Sequence, residues 1–186
     1  MYILQFDGLF RRLPAESDEY PGIMCFGWLI CRDDTFLAQG YGGFAHWKLA
    51  TSNGAEYLAL IAGLEALIEL KATNEPVLIQ GDARTIIDQM QSRVLTHSPR
   101  VQQFRRKARK LCRDLTDIHW DWTPRRNNRN ADRLTRQALD FIRLHNPSYF
   151  SPDITRHFPP DSRKGLQPIY HESTLPSNGR LSFTLN

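Results

Sequence analysis

The sequence predicts an α/β fold in which a mixed five-stranded sheet carries helices on its faces. Three strand-like apolar segments follow one another within the first 44 residues. From residue 53 onward, helix-like and strand-like segments alternate instead. Successive strands form an antiparallel meander, whereas strands separated by helices form parallel crossover units. The predicted sheet therefore contains a three-stranded antiparallel meander and two parallel strands.

The meander strands are predicted from their apolar patterns and from the turns between them. Tyr2 to Phe6 is a short strand that leads into Asp7-Gly8. The following segment, Leu9 to Pro21, is rich in turn residues and is expected to be a loop. Ile23 to Arg32 is apolar at successive positions, as in a central strand, and after a tight turn Thr35 to Phe44 returns antiparallel to it.

The next part of the chain supplies the helices and two further strands. The first helix, from Asn53 to about Leu70, is apolar around most of its circumference and is expected to pack on more than one neighbour. The fourth and fifth strands are predicted at Pro76 to Asp82 and Ile118 to Trp122. Trp120 and Trp122 share one face of the last strand and are expected to pack in the core. Further helices are predicted at Ala83–Met90, Ser98–Leu115 and Asn130–His145.

The composition changes after Asn146. Six of the eleven prolines lie beyond this residue, and no hydrophobic period persists there for more than a few positions. Residues 1–145 are therefore predicted to form one domain, and residues 146–186 an irregular tail that lies on the domain or is partly disordered. Within the tail, Leu181 to Leu185 is a candidate short strand.

Charge and composition favour an intracellular protein with an anionic partner. The formal net charge is +4 and the pI is about 9.1, which favours nucleic acid over a membrane because no basic amphipathic anchor is visible. No apolar run approaches the roughly 20 residues of a membrane span, and the first residues lack the pattern of a signal peptide. The three cysteines lie in apolar settings without metal-site spacing, as reduced core residues do. We therefore expect a cytoplasmic monomer without membrane association.

Four acids occupy the ends of strands or the starts of helices: Asp7, Glu56, Asp82 and Asp132. Each has a structural interpretation of its own. Asn53 and Glu56 have the spacing of a capping box at a helix start. The Asp-Gly and Gly-Asp pairs at the ends of the strands fit turns, and Asp132 suits a helix dipole. Together, in this order of elements, the four acids favour a shared site.

A shared site would form if the first and fourth strands were parallel neighbours. Asp7 and Asp82 would then meet at one edge of the sheet, where ligands bind in α/β proteins. Glu56 and Asp132 could point at them from helix starts. Without a cation, four neighbouring carboxylates repel one another. An all-oxygen site without nearby histidine suits Mg²⁺, with Mn²⁺ as a substitute, rather than Zn²⁺.

Four segments carry a family resemblance: Phe6-Asp7-Gly8, Thr51-Ser52-Asn53-Gly54-Ala55-Glu56-Tyr57, Gly81-Asp82-Ala83 and Asn128-Arg129-Asn130-Ala131-Asp132-Arg133-Leu134. In order and spacing, the chain up to about residue 145 resembles type 1 ribonuclease H. The resemblance implies the ribonuclease H fold and hydrolysis of the RNA strand of RNA–DNA hybrids, which leaves 5′-phosphate and 3′-hydroxyl ends. It also implies two divalent ions held by the four catalytic acids. We expect Asp7 to bridge both ions, because its strand holds it rigidly beside Asp82.

The chain departs from well-known bacterial members of that family in two regions. The loop before the last acid, Pro124 to Arg129, lacks their histidine, and the basic insertion called the handle is absent; in both respects the chain resembles archaeal and some bacterial members. Two interpretations of Arg125 and Arg126 stay open: contact with the scissile phosphate or help in product release, and a solvated basic turn. Two interpretations also stay open for the basic residues of the Ser98–Leu115 helix: a solvated face, and, with the implied nucleic-acid substrate, contact with a phosphate backbone. These residues are Arg105, Arg106, Lys107, Arg109, Lys110 and Arg113.

The resemblance also indicates contacts with the substrate. Thr51 matches a position linked to a DNA phosphate, and Ser52 and Asn53 match positions near the minor groove, where 2′-hydroxyls mark RNA. The full set of predicted substrate-binding residues is Gly8, Arg12, Thr51, Ser52, Asn53, Arg125, Arg126 and Asn128. Because the loop after Asp7 is longer than in the family, broadened substrate choice such as double-stranded RNA is one alternative. A nucleic-acid-binding protein without cleavage is another.

Overall fold

The structure, a computed structural model, describes residues 1–13, 22–46, 50–150 and 167–175 of the 186-residue chain. Among these residues the strands are β1 (Tyr2–Arg12), β2 (Gly22–Arg32), β3 (Thr35–His46), β4 (Pro76–Gly81), β5 (Asp117–Trp122) and β6 (Gln167–Ser173). The α-helices are α1 (Ser52–Glu69), α2 (Arg84–Met90), α3 (Pro99–Leu111) and α4 (Arg129–His145). None of these helices is both long and apolar enough to cross a membrane.

The strands form one mixed sheet in the order β5-β4-β1-β2-β3-β6. β1, β2 and β3 form an antiparallel meander, and β4 lies parallel to both β1 and β5. The predicted α/β fold, with its antiparallel meander and two parallel strands, is confirmed. Phe6 pairs with Gly81, so the first and fourth strands are parallel neighbours. Asp7 and Asp82, the next residues along the chain, consequently lie at the same end of this strand pair.

Helices pack on both faces of this sheet. α1 packs on one face, where Leu4, Phe26 and Ile79 belong to the larger core, and α3 packs against α1. α4 covers the other face, where Leu134 and Ile142 pack with residues of β2 and β3. α1 is buried along most of its length and contacts β1, β2 and α3, which confirms that it packs on more than one neighbour.

β1 is longer than predicted. It continues past Asp7 to Arg12, and the segment from Leu9 to Arg12 pairs with Cys25 to Gly22 of β2. The prediction that a loop begins at Leu9 was wrong, because pairing with the long central strand β2 outweighs the weak strand pattern of this segment. Residues 14–21 lie outside the described part of the chain.

A sixth strand pairs with β3, so the sheet has one strand more than predicted. Tyr41 of β3 and Tyr170 of β6 both donate hydrogen bonds to the Glu172 carboxylate, the former at 2.7 Å. The Tyr170 ring also stacks on Phe141 of α4, with the centroids 3.7 Å apart. The sequence did not predict β6 because this strand is short, contains a proline and follows no hydrophobic period. The candidate strand from Leu181 to Leu185 lies outside the described residues.

The division of the chain near Asn146 remains a prediction that truncation can test. A chain that ends at Asn146 keeps β1 to β5 and most of both cores, and we expect it to melt in one cooperative transition. Loss of β6 exposes the hydrogen-bonding edge of β3, so the melting temperature should fall and the chains should associate at high concentration. Calorimetry and light scattering on both chain lengths measure these effects. A truncated chain without a cooperative transition would show that the tail belongs to the core.

Candidate active site

Three of the four predicted acids meet at the end of β1 and β4. Asp7 lies in β1, Asp82 directly follows β4, and Glu56 lies in the second turn of α1. One carboxylate oxygen of each acid lies within 4.8 Å of the other two. Asp7 and Glu56 are only 4% and 7% exposed, whereas Asp82 is half-buried. This three-acid cluster could hold a metal ion, with solvent access on the side of Asp82.

Two glycines allow two helices to approach the strands at this point. A Cβ atom on Gly8 would lie 2.2 Å from the Glu56 backbone nitrogen, so only glycine lets α1 lie this close to β1. A Cβ atom on Gly27, which pairs with Asp7, would lie 2.8 Å from the Ala131 carbonyl oxygen of α4. These close approaches bring Glu56 and the start of α4 to Asp7 from opposite faces of the sheet.

Thr51, rather than Asn53, caps α1. The Thr51 hydroxyl accepts a hydrogen bond from the Gly54 backbone nitrogen at 3.0 Å, and the helix begins at the next residue. The capping-box interpretation of Asn53 and Glu56 was therefore wrong, because Glu56 lies too far along the helix. The Glu56 carboxylate instead accepts a hydrogen bond from the Gly8 backbone. Its second oxygen, Oε2, is buried without a hydrogen-bond partner among the described residues, a costly state unless a cation is present.

The acids of the cluster are difficult to ionise together. Burial, followed by repulsion from Asp82 and Asp132, raises the pKa of Asp7 to about 7. Burial, followed by repulsion from Asp7 and Asp82, raises the pKa of Glu56 well above its ordinary value. A divalent cation would relieve this repulsion and favour the ionised form of both groups at neutral pH.

Asp132, the fourth predicted acid, is bound by two arginines. Arg125 Nη2 lies 2.6 Å from Asp132 Oδ1, and Arg136 Nε lies 2.7 Å from Asp132 Oδ2. Hydrogen bonds from Arg136 and Arg125 lower the pKa of Asp132. Asp132 is nevertheless close enough to Asp7 to raise the pKa of that residue. The structure thus places Asp132 beside the three-acid cluster, with its charge balanced by protein side chains.

Two residues from α4 and the turn before it hold Asp7 and β1 in place. Thr135 donates a hydrogen bond to Asp7 Oδ2 at 3.2 Å; the sequence offered no signal for this role beyond a hydroxyl one helical turn after Asp132. Asn128, predicted to bind substrate, is completely buried, and its side-chain amide donates to the Phe6 carbonyl at 2.8 Å. Burial leaves Asn128 no surface for a substrate, so its place in this structure favours a role in fixing β1.

The other predicted substrate-binding residues lie on three segments that lead to the acids. These segments are the start of α1, the turn before α4, and the part of β1 that follows Asp7. Gly8 is half-buried. The other six residues are exposed: Arg12, Thr51, Ser52, Asn53, Arg125 and Arg126.

Trp122 lies at the rim of the cluster. Its indole Nε1 donates to the Asp82 carbonyl at 3.0 Å, and the Arg84 guanidinium lies over its ring, 5.6 Å from the centroid. Because 41% of its surface is exposed, the prediction that Trp122 packs in the core was wrong. Strand alternation identifies a face but does not show where the covering helices end. Trp120, two residues earlier, is half-buried and packs against the larger core, as predicted.

Comparison with known proteins assigns the chain to a family. The sequence pattern of the family described as "Reverse transcriptase-like" matches residues 19–138, more than half of the chain. The chain belongs to this family. The matched range includes Glu56, Asp82 and Asp132, whereas Asp7 precedes it, so the place of Asp7 in the site rests on the geometry of the fold.

Within this reverse transcriptase-like family, the chain is similar to ribonucleases H. "Bifunctional protein Rv2228c" of Mycobacterium tuberculosis is 37% identical over 122 residues, which make up 64% of this chain and 32% of the relative. "Ribonuclease HI" of Halobacterium salinarum is 33% identical over 121 residues, 64% of this chain and 58% of the relative. The crystal structure of RNase H1 from the same archaeon is 31% identical with a TM-score of 0.62, and the match covers 75% of this chain and 97% of that one. The chain thus has the type 1 ribonuclease H fold, and it spans about a third of the length of the mycobacterial relative.

For this ribonuclease H-like chain, we expect Mg²⁺ to raise the melting temperature more at about pH 8 than at about pH 5. The pKa of Asp7 is raised above its unfolded value to about 7, so without a cation the contribution of this group to stability is most favourable below about pH 4 and is lost as the pH rises to about 7. A bound cation offsets this loss only where the acids are ionised. Thermal melting in chelator, in Mg²⁺ and in sodium chloride of equal ionic strength measures the effect. Equal shifts at both pH values would contradict it.

Proposed function

We propose that the chain is a divalent-metal-dependent endoribonuclease that hydrolyses the RNA strand of RNA–DNA hybrids and leaves 5′-phosphate and 3′-hydroxyl ends. The observation that carries this proposal is the cluster of the buried Asp7 and Glu56 with the half-buried Asp82 at the end of two parallel strands, in a chain with the type 1 ribonuclease H fold. Burying carboxylates that repel one another costs stability, and such costs concentrate at functional sites. A cation-dependent reaction accounts for the cost.

The side chains of the cluster fit hard cations. Every donor is a carboxylate oxygen, and the buried Glu56 Oε2 has no hydrogen-bond partner among the described residues, so it is available as a ligand. We propose that Asp7, Glu56, Asp82 and Asp132 hold two Mg²⁺ ions, with Mn²⁺ as a substitute. When bound, such ions activate a water molecule for attack on the phosphodiester and stabilise the leaving 3′ oxygen.

The residues of the chain hold the acids in position for this chemistry. Asp7 is fixed by pairing on both sides of β1 and by the Thr135 hydroxyl, so it would present its carboxylate rigidly to bound ions. Arg125 and Arg136 balance the charge of Asp132. If Asp132 bound a cation, Arg125 or Arg136 would become available to donate to a phosphate oxygen.

The exposed start of α1 is the proposed contact surface for the hybrid. Ser52 and Asn53 lie one turn before the buried acid of α1, where their polar side chains would meet 2′-hydroxyls of the RNA strand. Thr51, at the N-terminus of the same helix, would contact a phosphate of the DNA strand. Gly8 and Arg12 on β1 complete the proposed surface.

Arg125→Ala is expected to lower turnover on the hybrid by about tenfold or more, and Arg126→Ala to lower it less. Arg125 is bonded to Asp132 beside the acids, so its guanidinium can reach a phosphate bound there. Arg126 is exposed and forms no such ion pair with the described residues. Rates at saturating hybrid concentration compare the two variants directly. Turnover equal to that of the unmodified chain in both variants would leave a solvated basic turn as the role of this segment.

The three cysteines are free, which supports the proposal that the protein acts in the reducing environment of the cytoplasm. We also propose that it acts as a monomer. Gel filtration with light scattering tests the oligomeric state, and a dimer at working concentration would reject that part of the proposal.

A panel of labelled substrates tests the proposed function. The panel contains an RNA–DNA hybrid, double-stranded RNA and a DNA duplex, each with Mg²⁺, Mn²⁺ or chelator. Cleavage of the hybrid alone, only with a divalent ion and with 5′-phosphate products, is the expected result. Comparable cleavage of double-stranded RNA would favour broadened substrate choice. Binding of the hybrid without cleavage under any condition would indicate a nucleic-acid-binding protein instead.

A further inference from the structure

A second concave surface lies between α3, the end of α2, and β5. Its volume is about 740 Å³. Four arginines from α3 and the turn that follows it line this surface together with Trp120: Arg105, Arg106, Arg109 and Arg113. We call this surface the α3–β5 groove. None of the acids or of the predicted substrate-binding residues of the candidate active site lines it.

The α3–β5 groove carries positive charge that the described residues do not balance. No carboxylate lines the groove, and among the described residues its arginines have no ion-pair partner. Lys107 on another side of α3, by contrast, lies 3.0 Å from Glu65 Oε1. Ser92 orients two of the groove arginines, because its hydroxyl accepts hydrogen bonds from Arg105 at 3.2 Å and from Arg109 at 3.4 Å. Unbalanced guanidinium groups around a concave surface attract a polyanion.

β5 connects the α3–β5 groove with the candidate active site. Trp120 lines the groove, and Trp122, on the same face of the strand, donates its indole N–H to the Asp82 carbonyl. Residues two apart on a strand are separated by about 7 Å. Arg84, which lies over the Trp122 ring, adds a positive charge at the rim of the site. One face of β5 thus carries an aromatic side chain at the rim of the acids and another in the groove.

We propose that the α3–β5 groove binds an unpaired nucleic-acid strand that extends from the substrate, with its phosphates on the arginines and a base against Trp120. The inference rests on the proposed function for the identity of that substrate. A groove of about 740 Å³ has room for about two nucleotides but not for a duplex. Bases inside a duplex are stacked on their neighbours, whereas an unpaired base offers its face to an indole, and such stacking is tolerant of base sequence. The protein therefore binds hybrids with a single-stranded extension more tightly than blunt hybrids.

Fluorescence anisotropy in chelator, which prevents cleavage, tests this site independently of catalysis. The probes are a blunt hybrid and hybrids with a short overhang on either strand and at either end. We expect at least one overhang to tighten binding by about tenfold, and the double variant Arg109→Gln/Arg113→Gln to lose this gain. For that probe, the slope of the logarithm of the binding constant against the logarithm of the salt concentration should become shallower by about 1.4 in the double variant. Each lost phosphate contact with a single strand contributes roughly 0.7, and the variant removes two.

Matched variants separate the groove from a general effect of charge. Arg32→Gln/Arg143→Gln removes the same charge at exposed positions outside the groove, and we expect it to keep the gain. Trp120→Phe should keep most of the gain, whereas Trp120→Leu should lose it. The melting temperature of each variant is measured, and if Trp120→Leu does not fold, the arginine double variant alone decides the outcome.

Three results would overturn the inference. The first is equal affinity for blunt and extended hybrids, and the second is a gain that survives in Arg109→Gln/Arg113→Gln. The third is competition by AMP: if AMP displaces the overhang at the same concentration as a single-stranded oligonucleotide does, the groove is a site for free nucleotides. Hydrolysis of the blunt hybrid with Mg²⁺ is measured separately. If the blunt hybrid is not hydrolysed, the proposed function is rejected, but the comparison of binding affinities still stands. If it is hydrolysed and no overhang tightens binding, only the proposal for the α3–β5 groove is rejected.

Discussion

Asp7→Asn is expected to lower hydrolysis of the hybrid by roughly 10³-fold or more and, in chelator, to raise the melting temperature of the same protein. Activity falls because the substitution removes a carboxylate that we propose as a ligand of both ions, and several kcal/mol of transition-state stabilisation correspond to a factor of about this size. Stability rises because a neutral amide replaces a buried acid whose pKa is raised to about 7 by burial and by neighbouring acids. The amide oxygen can still accept the hydrogen bond of Thr135.

The stabilisation by Asp7→Asn should depend on pH in a defined direction. At about pH 8 in chelator, the ionised Asp7 costs on the order of 2–4 kcal/mol of folding free energy. Below about pH 4 this group is neutral in the folded and the unfolded chain, so the stability difference between Asp7→Asn and the unmodified chain disappears. Chemical denaturation of both proteins across this range measures the difference. Asp121→Asn is the matched control, because it makes the same change at an exposed position of β5 that accepts a hydrogen bond from Gln80 at 3.1 Å. Hydrolysis by Asp7→Asn at the rate of the unmodified chain, or a lower melting temperature in chelator, would contradict the assigned site.

Gly8→Ala is expected to destabilise the protein by about 3 kcal/mol or more and to impair hydrolysis. The added Cβ atom would lie 2.2 Å from the Glu56 backbone nitrogen and 2.3 Å from the Ala55 carbonyl carbon, so β1 and α1 would have to separate. This separation also moves Glu56 away from Asp7. For a chain of this length, such a loss lowers the melting temperature by roughly 6–12 °C, which calorimetry detects.

Gly54→Ala provides the control for Gly8→Ala. It adds the same methyl group at the start of α1, but there the Cβ atom would meet the Met24 sulfur at 2.8 Å and the Thr51 hydroxyl oxygen at 3.0 Å, which are side-chain rather than backbone atoms. Alanine also favours the helix over glycine by roughly 1 kcal/mol. We expect Gly54→Ala to melt close to the unmodified chain. If Gly8→Ala melted like Gly54→Ala, close backbone contact would not be what positions Glu56.

Elements with strong local signals were predicted correctly, and elements that depend on a distant partner were not. Ser98 and Pro99 predicted the start of α3, and the Ser98 hydroxyl does accept a hydrogen bond from the Val101 backbone nitrogen. The continuation of β1 past Asp7, and the whole of β6, have weak patterns of their own. Both become strands by pairing with β2 and β3, and a local pattern cannot show that such a partner is present.

In the candidate site, too, some features were predicted from the sequence and others depended on distant partners. The order of strands and helices predicted that Asp7 and Asp82 would meet, and the fold brings them together with Glu56. The sequence did not predict that two arginines bind Asp132, or that Thr135 holds Asp7. Hydrogen bonds between side chains of different elements leave no periodic signal in a sequence, so these contacts could be found only from coordinates.

The sequence by itself determined the fold class, the order of most elements and the identity of the acids, because residue type and hydrophobic periodicity are local properties of the chain. Only the tertiary structure decided how these acids behave. Contact at Gly8 and Gly27 sets how closely α1 and α4 approach Asp7, and that approach decides the separation and the burial of the carboxylates. The pKa of an acid depends on desolvation and on its distance to other charges. Neither exists until the chain has folded, and therefore the charge state that makes this cluster a cation site is a property of the fold.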